Sequence, residues 1–187
     1  MEWLATVLDN KSAAAFLGAL FGFLLVIVND WRRERRKVGH IRTEIELNQV
    51  VARNKLETVR GNRAMIRDNR ITAAPILKFS SGLIRQMAAE VLSRLTPDQR
   101  RSLEALCYRM EAIDELLADA YIDAKKFEPP SELSEEQRQA FGKRLIDKFG
   151  DAIVNLKILD GMAAHYLNGH YTEIVATRYD AAKFEEE

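Results

Sequence analysis

Apolar and polar positions follow one another along this chain in two distinct rhythms. From Ser12 to Asn29 there is no rhythm at all: "SAAAFLGALFGFLLVIVN" runs for 18 residues without a charge. At helical rise that is about 27 Å, near the lower limit for crossing a hydrocarbon core of about 30 Å. A helix in the core of a soluble protein would carry polar residues on one face, and none occurs before Asn29 and Asp30. A cleavable export signal would begin with basic residues and end at a small-residue cleavage site. Here the charge-balanced "MEWLATVLDNK" precedes the run and "NDWRRERRK" follows it. The pattern therefore predicts a permanent transmembrane helix over residues 12–31, preceded by a short extracytoplasmic N-terminus, residues 1–11.

After the run the helical period takes over. Ile41, Ile45, Val51/Ala52, Leu56 and Val59 recur at helical intervals with charges between them, which predicts a basic juxtamembrane helix over 32–72. Gly61 and Asn62 would end it or bend it before Arg70. "TAAPILKFSSG" is a break, followed by an apolar-rich helix from Leu83 to Leu95. Thr96, Pro97 and Gln99 supply an N-cap, a proline at the first helical position and a capping-box partner. From there Leu103, Leu106, Met110, Ile113, Leu117, Ala120, Ala124 and Phe127 alternate at spacings of three and four, a seam of more than three heptads. Pro129 and Pro130 stop it. Ser134 with Gln137 opens another helix, in which Phe141, Leu145, Phe149, Ala152, Leu156, Leu159, Ala163 and Tyr166 repeat the pattern. "HYTEIVATRYD" is read as a further short helix and residues 181–187 as an acidic tail. Helices that are each apolar on one stripe bury those stripes against one another. The expected fold is all-α: a single N-terminal transmembrane helix followed by a cytoplasmic antiparallel bundle of three to four helices over residues 73–180.

Charge adds a direction. The chain is neutral overall, with 28 basic and 28 acidic residues. The balance is uneven: Asp30 to Arg70 holds 12 Lys/Arg against 6 Asp/Glu, while Thr96 to Glu187 holds 12 against 19. Only Lys11 lies close before the apolar run, whereas Arg32, Arg33, Arg35, Arg36 and Lys37 follow it. Positive flanks stay on the cytoplasmic side, so the N-terminus is expected outside the plasma (inner) membrane and the rest inside, with these five residues also facing anionic lipid headgroups. Trp3 and Trp31 sit where indole rings favour the headgroup level. Ala14, Gly18 and Gly22 recur every fourth residue, a small-residue stripe suited to packing against a second copy in lipid.

Candidate chemistry changes little. His165 and His170 are five residues apart, which is not the spacing that presents two ligands from one helical face, so no metal is expected. Cys107 stands one residue off the seam and is read as a small buried side chain. No phosphate loop, nucleophile elbow or Glu-x-x-His pair occurs, and neither an enzyme nor a cofactor is expected. Arg53, Arg60, Arg63, Arg67 and Arg70 would form a guanidinium stripe on a continuous helix, suited to a phosphate-bearing or protein partner. The favoured alternative pairs that stripe inside the bundle with Glu104, Glu111, Asp114 and Glu115. The neutral net charge and the acidic distal half argue against nucleic acid. Together these features point to a non-catalytic membrane-anchored adaptor presenting a helical bundle to a cytoplasmic protein. The alternative is a membrane-damaging effector of the bacterial defence or toxin type, acting by oligomerisation of its transmembrane helix.

Overall fold

A computed structural model describes residues 11–68, 77–126 and 134–176. Among these residues every regular element is helical. They are α1 (Lys11–Arg67), α2 (Ser81–Glu90), a 3-10 turn (Leu92–Arg94), α3 (Pro97–Lys126), α4 (Glu135–Leu167) and α5 (Tyr171–Ala176). The chain divides into two compact units, Met1–His40 and Ile41–Glu187, and the division falls inside α1.

In the first unit α1 is long and apolar enough to span a membrane. Its apolar 18-residue window has a mean hydropathy of 1.8 and none of it is buried. Phe16, Phe21, Phe23 and Leu25 are each more than 60% exposed, all round the helix rather than along one stripe. Past the window, the Arg35 guanidinium lies 4.3 Å from the centre of the Trp31 ring, a cation–π contact that holds the indole beside the basic cluster.

In the second unit α1 carries a heptad seam. Ile41, Ile45, Asn48, Ala52, Lys55, Val59, Asn62 and Ile66 follow one another at steps of four and three, and all are buried. The helix runs through Gly61 and Asn62 to Arg67 without ending, because Gly61 is exposed and Asn62 belongs to the seam. Leu56, counted in the apolar pattern, is only half-buried, and the next-door Lys55 takes the inner position.

The α3 seam is buried from Leu103 to Ala124 at the positions its pattern predicts, while Phe127, Pro129 and Pro130 lie outside the described residues. On α4 the buried set is wider than one seam: Ile153, Ile158 and Met162 join Leu145, Phe149, Ala152, Leu156, Leu159, Ala163 and Tyr166. The breadth has a cause, since α4 contacts both α3 and α5, and α3 also contacts α2 and α5. Each large apolar side chain so buried contributes about 1.5–3 kcal/mol.

Both capping boxes form. The Gln99 amide N–H donates to Thr96 Oγ1 at 3.2 Å and the Thr96 N–H donates to Gln99 Oε1 at 2.9 Å. Ser134 and Gln137 make the same reciprocal pair at 3.3 and 3.0 Å. Between α2 and α3 the expected single helix 83–95 is instead α2 and a 3-10 turn. The Arg100 side chain closes that turn by donating to the carbonyls of Leu92 and Leu95. α4 ends in a Schellman turn: Gly169, at φ +81°, donates its N–H to the Tyr166 carbonyl, and the His170 N–H reaches back to the His165 carbonyl at 2.9 Å.

Candidate functional site

From Asn48 on, every seventh residue of the α1 seam is polar: Asn48, Lys55 and Asn62. A buried polar group needs partners, and two of the three find them on the segment that leads into α2 and on α3. Asn48 Nδ2 donates to the Glu44 carbonyl at 2.8 Å and to Ser80 Oγ at 2.6 Å, while its Oδ1 accepts the Ser80 N–H at 3.0 Å. Ser80 Oγ in turn donates to the Glu44 carboxylate at 3.0 Å. One heptad on, the Lys55 ammonium, 3% exposed, pairs with Asp114 of α3. The other Asp114 oxygen accepts the Phe79 N–H at 2.8 Å, and the ammonium lies 3.6 Å from the centre of the Phe79 ring. Burial pulls the Lys55 pKa below its ordinary value, and the hydrogen bond and charge of Asp114 oppose the shift. Residues 79–81 are thereby pinned between α1 and α3 by polar bonds rather than by apolar packing alone.

At the third polar step the pattern opens into a cleft. Asn62 Nδ2 and Arg63 Nε are buried and have no hydrogen-bond partner among the described residues. Beside them Arg60, Arg63 and Arg67 of α1 and Asp147, Asp151 and Lys157 of α4 line a cleft of about 520 Å³. Gly150 lies beside the Arg63 side chain: a Cβ there would stand 3.5 Å from Arg63 Nη2, an ordinary contact distance. Four cations against two carboxylates leave the cleft net positive. Guanidinium groups so placed can take a carboxylate or phosphate in two parallel N–H bonds. Arg60 also holds Glu57 of its own helix at 3.1 Å.

The structure therefore gathers three of the five arginines of the stripe. Arg53 turns instead to Asp160 of α4 at 2.9 Å, and Arg70 lies outside the described residues. Two of the four intramolecular partners expected for the stripe are committed elsewhere: Asp114 to Lys55, and Glu111 to Arg85 at 3.0 Å. Beside Glu57 of α1, the carboxylates that neighbour the arginines are Asp147, Asp151 and Asp160 of α4. In the first unit Gly18 and Gly22 are exposed and a Cβ added at either would meet nothing within 4 Å, while Ala14 is half-buried. Arg32, Arg33, Arg35 and Arg36 are exposed and Lys37 is half-buried.

Cys107 is buried, with Sγ 3.7 Å from the Ser81 carbonyl, and burial pushes its thiol pKa up against the opposing influence of Arg85. A thiol so held is not a nucleophile at neutral pH. Burial likewise pushes the Tyr166 phenol up. Among the described residues, one group of metal-ligating side chains comes together: His165, His170 and Glu173. Sequence spacing gave no hint of it, nor of the buried polar steps, whose trace in the sequence is a polar residue at each seventh position of an otherwise apolar seam.

No protein-family model matches the chain, and neither a curated protein nor a solved structure matches it.

Proposed function

We propose that the protein is a non-catalytic, single-pass membrane-anchored scaffold. The observation that carries this reading is the change of character within one continuous helix: α1 exposes its whole apolar window and then buries an interlocked seam in the second unit. The basic residues Arg32, Arg33, Arg35, Arg36 and Lys37 argue for an N-terminus outside the plasma membrane, an antiparallel helical bundle in the cytoplasm, and contact with anionic headgroups. The cleft at Arg60, Arg63 and Arg67 offers a net positive concavity to an acidic or phosphate-bearing segment of a cytoplasmic protein.

Expression of the full chain beside a version lacking residues 1–36 tests the scaffold against the membrane-damaging alternative. The scaffold reading expects normal growth and no dye leakage from either version, with only the full chain in the membrane fraction. Growth arrest and leakage that depend on residues 1–36 would overturn it.

Self-association through Ala14, Gly18 and Gly22 is a separate part of the proposal. A Cβ added at position 18 or 22 meets nothing within 4 Å, so the start of a larger side chain there finds open space. Gly18→Leu with Gly22→Leu is expected to abolish crosslinked dimers in membranes; undiminished crosslinking removes this stripe as the contact.

A further inference from the structure

A Schellman turn superimposes two residues that an uninterrupted helix would keep apart. The residue after the left-handed glycine folds back over the last helical turn, and its side chain meets the one five positions earlier, a contact that is usually apolar. At the end of α4 both positions are histidine. His170 follows Gly169, its N–H bonded to the His165 carbonyl, and the two imidazole rings lie 5.9 Å apart between centres. Three residues further, in the first turn of α5, Glu173 comes back on the same side and its carboxylate lies 2.9 Å from His165 Nδ1. One ligand atom from each of the three falls within 4.8 Å of the others.

The corner is braced from beneath. Tyr166 and Ile174 are buried on either side of it, the Tyr166 and Tyr171 rings meet edge to face at 5.0 Å, and Ser102 of α3 donates to the Tyr171 carbonyl at 2.9 Å. The backbone that carries the three ligands is thus set by packing, while His170 and Glu173 are exposed and can change rotamer.

We propose that His165, His170 and Glu173 bind a divalent transition ion, zinc in the first instance. Zinc takes imidazole nitrogen and carboxylate oxygen at about 2.0–2.2 Å, which sets neighbouring ligand atoms about 3.3 Å apart in a tetrahedron. His165 and Glu173 already stand closer than that, so the movement required is a rotation of the exposed His170 ring toward them. Three protein ligands leave the fourth position open to water or to a donor from another molecule, and the ion clasps α5 to the end of α4. Two imidazoles and one carboxylate suit zinc over calcium or magnesium, which prefer all-oxygen shells.

Titration of the detergent-solubilised full chain with zinc chloride tests the proposal, read by calorimetry and by the visible absorption of a cobalt(II) substitute. One ion per chain is expected, with loss of the cobalt bands on adding excess zinc. His170→Ala is expected to weaken binding by more than about tenfold while far-ultraviolet circular dichroism is unchanged, and His165→Ala to weaken it at least as much. His40→Ala, in the other unit, should leave affinity intact. Absence of saturable binding to the full chain overturns the site, as does binding that survives His170→Ala unaltered.

Discussion

Asp114→Ala is expected to cost about 3–5 kcal/mol of unfolding free energy, the usual penalty for removing one partner of a buried ion pair. The carboxylate has two dependants. Lys55, 3% exposed, would keep its place in the α1 seam with no counter-charge, and the Phe79 N–H would lose its acceptor. Both influences that now hold up the Lys55 pKa come from Asp114, so its removal leaves burial unopposed and the ammonium loses its proton more readily. Against a total stability of about 5–15 kcal/mol the loss is large. Denaturant unfolding of the solubilised chain, followed by circular dichroism, measures it. Lys55→Met combined with Asp114→Leu should recover the part of the loss that comes from the stranded charge and the opened space, while the Phe79 N–H still lacks its acceptor. A loss under about 1 kcal/mol for Asp114→Ala would show that water or a rearranged side chain reaches the ammonium.

The second large effect concerns the exposed apolar window. Leu20→Arg with Leu24→Arg places two charges on one side of α1, and each arginine near the centre of a membrane-spanning helix costs about 2.5–3.5 kcal/mol of insertion free energy. The double variant is expected to move from the carbonate-resistant membrane pellet to the supernatant. Since Leu20 and Leu24 are 43% and 46% exposed and belong to the first unit, the second unit should retain its helical signal. A double variant that stays in the pellet would show that the window is not what holds the protein there.

The parts of the fold that could be read in advance are those governed by local periodicity. Leu103 to Ala124 is buried as its three-and-four spacing requires, and Thr96 with Gln99 and Ser134 with Gln137 start their helices where the capping chemistry says. What the sequence concealed depends on distant partners. Asn48 and Lys55 resemble surface residues until Ser80 and Asp114, 32 and 59 positions away, are seen to satisfy them. Leu47 and Val50, more apolar than either, are more than half exposed. Pairing the arginines with the acidic flank of α3 rests on charge balance alone, which carries no information on which neighbour a polar flank meets, and for Arg53 that neighbour is Asp160 of α4. The five-residue spacing of His165 and His170 separates two side chains only on unbroken helix, and Gly169 breaks the helix between them.

The polar steps at Asn48, Lys55 and Asn62 also act as a key cut with unequal teeth. Sliding α1 along its axis by one heptad, about 10 Å, would still place apolar residues along the apolar side of the seam, since Ile45, Ala52, Val59 and Ile66 repeat at the same interval. The teeth would not match: an amide would arrive opposite Asp114 and an ammonium, or no donor pair, opposite Ser80. A heptad seam made only of apolar residues would tolerate that displacement far better. Sequence variation along this helix should therefore be tightest not where it is most hydrophobic but at the three positions that tell one heptad from the next.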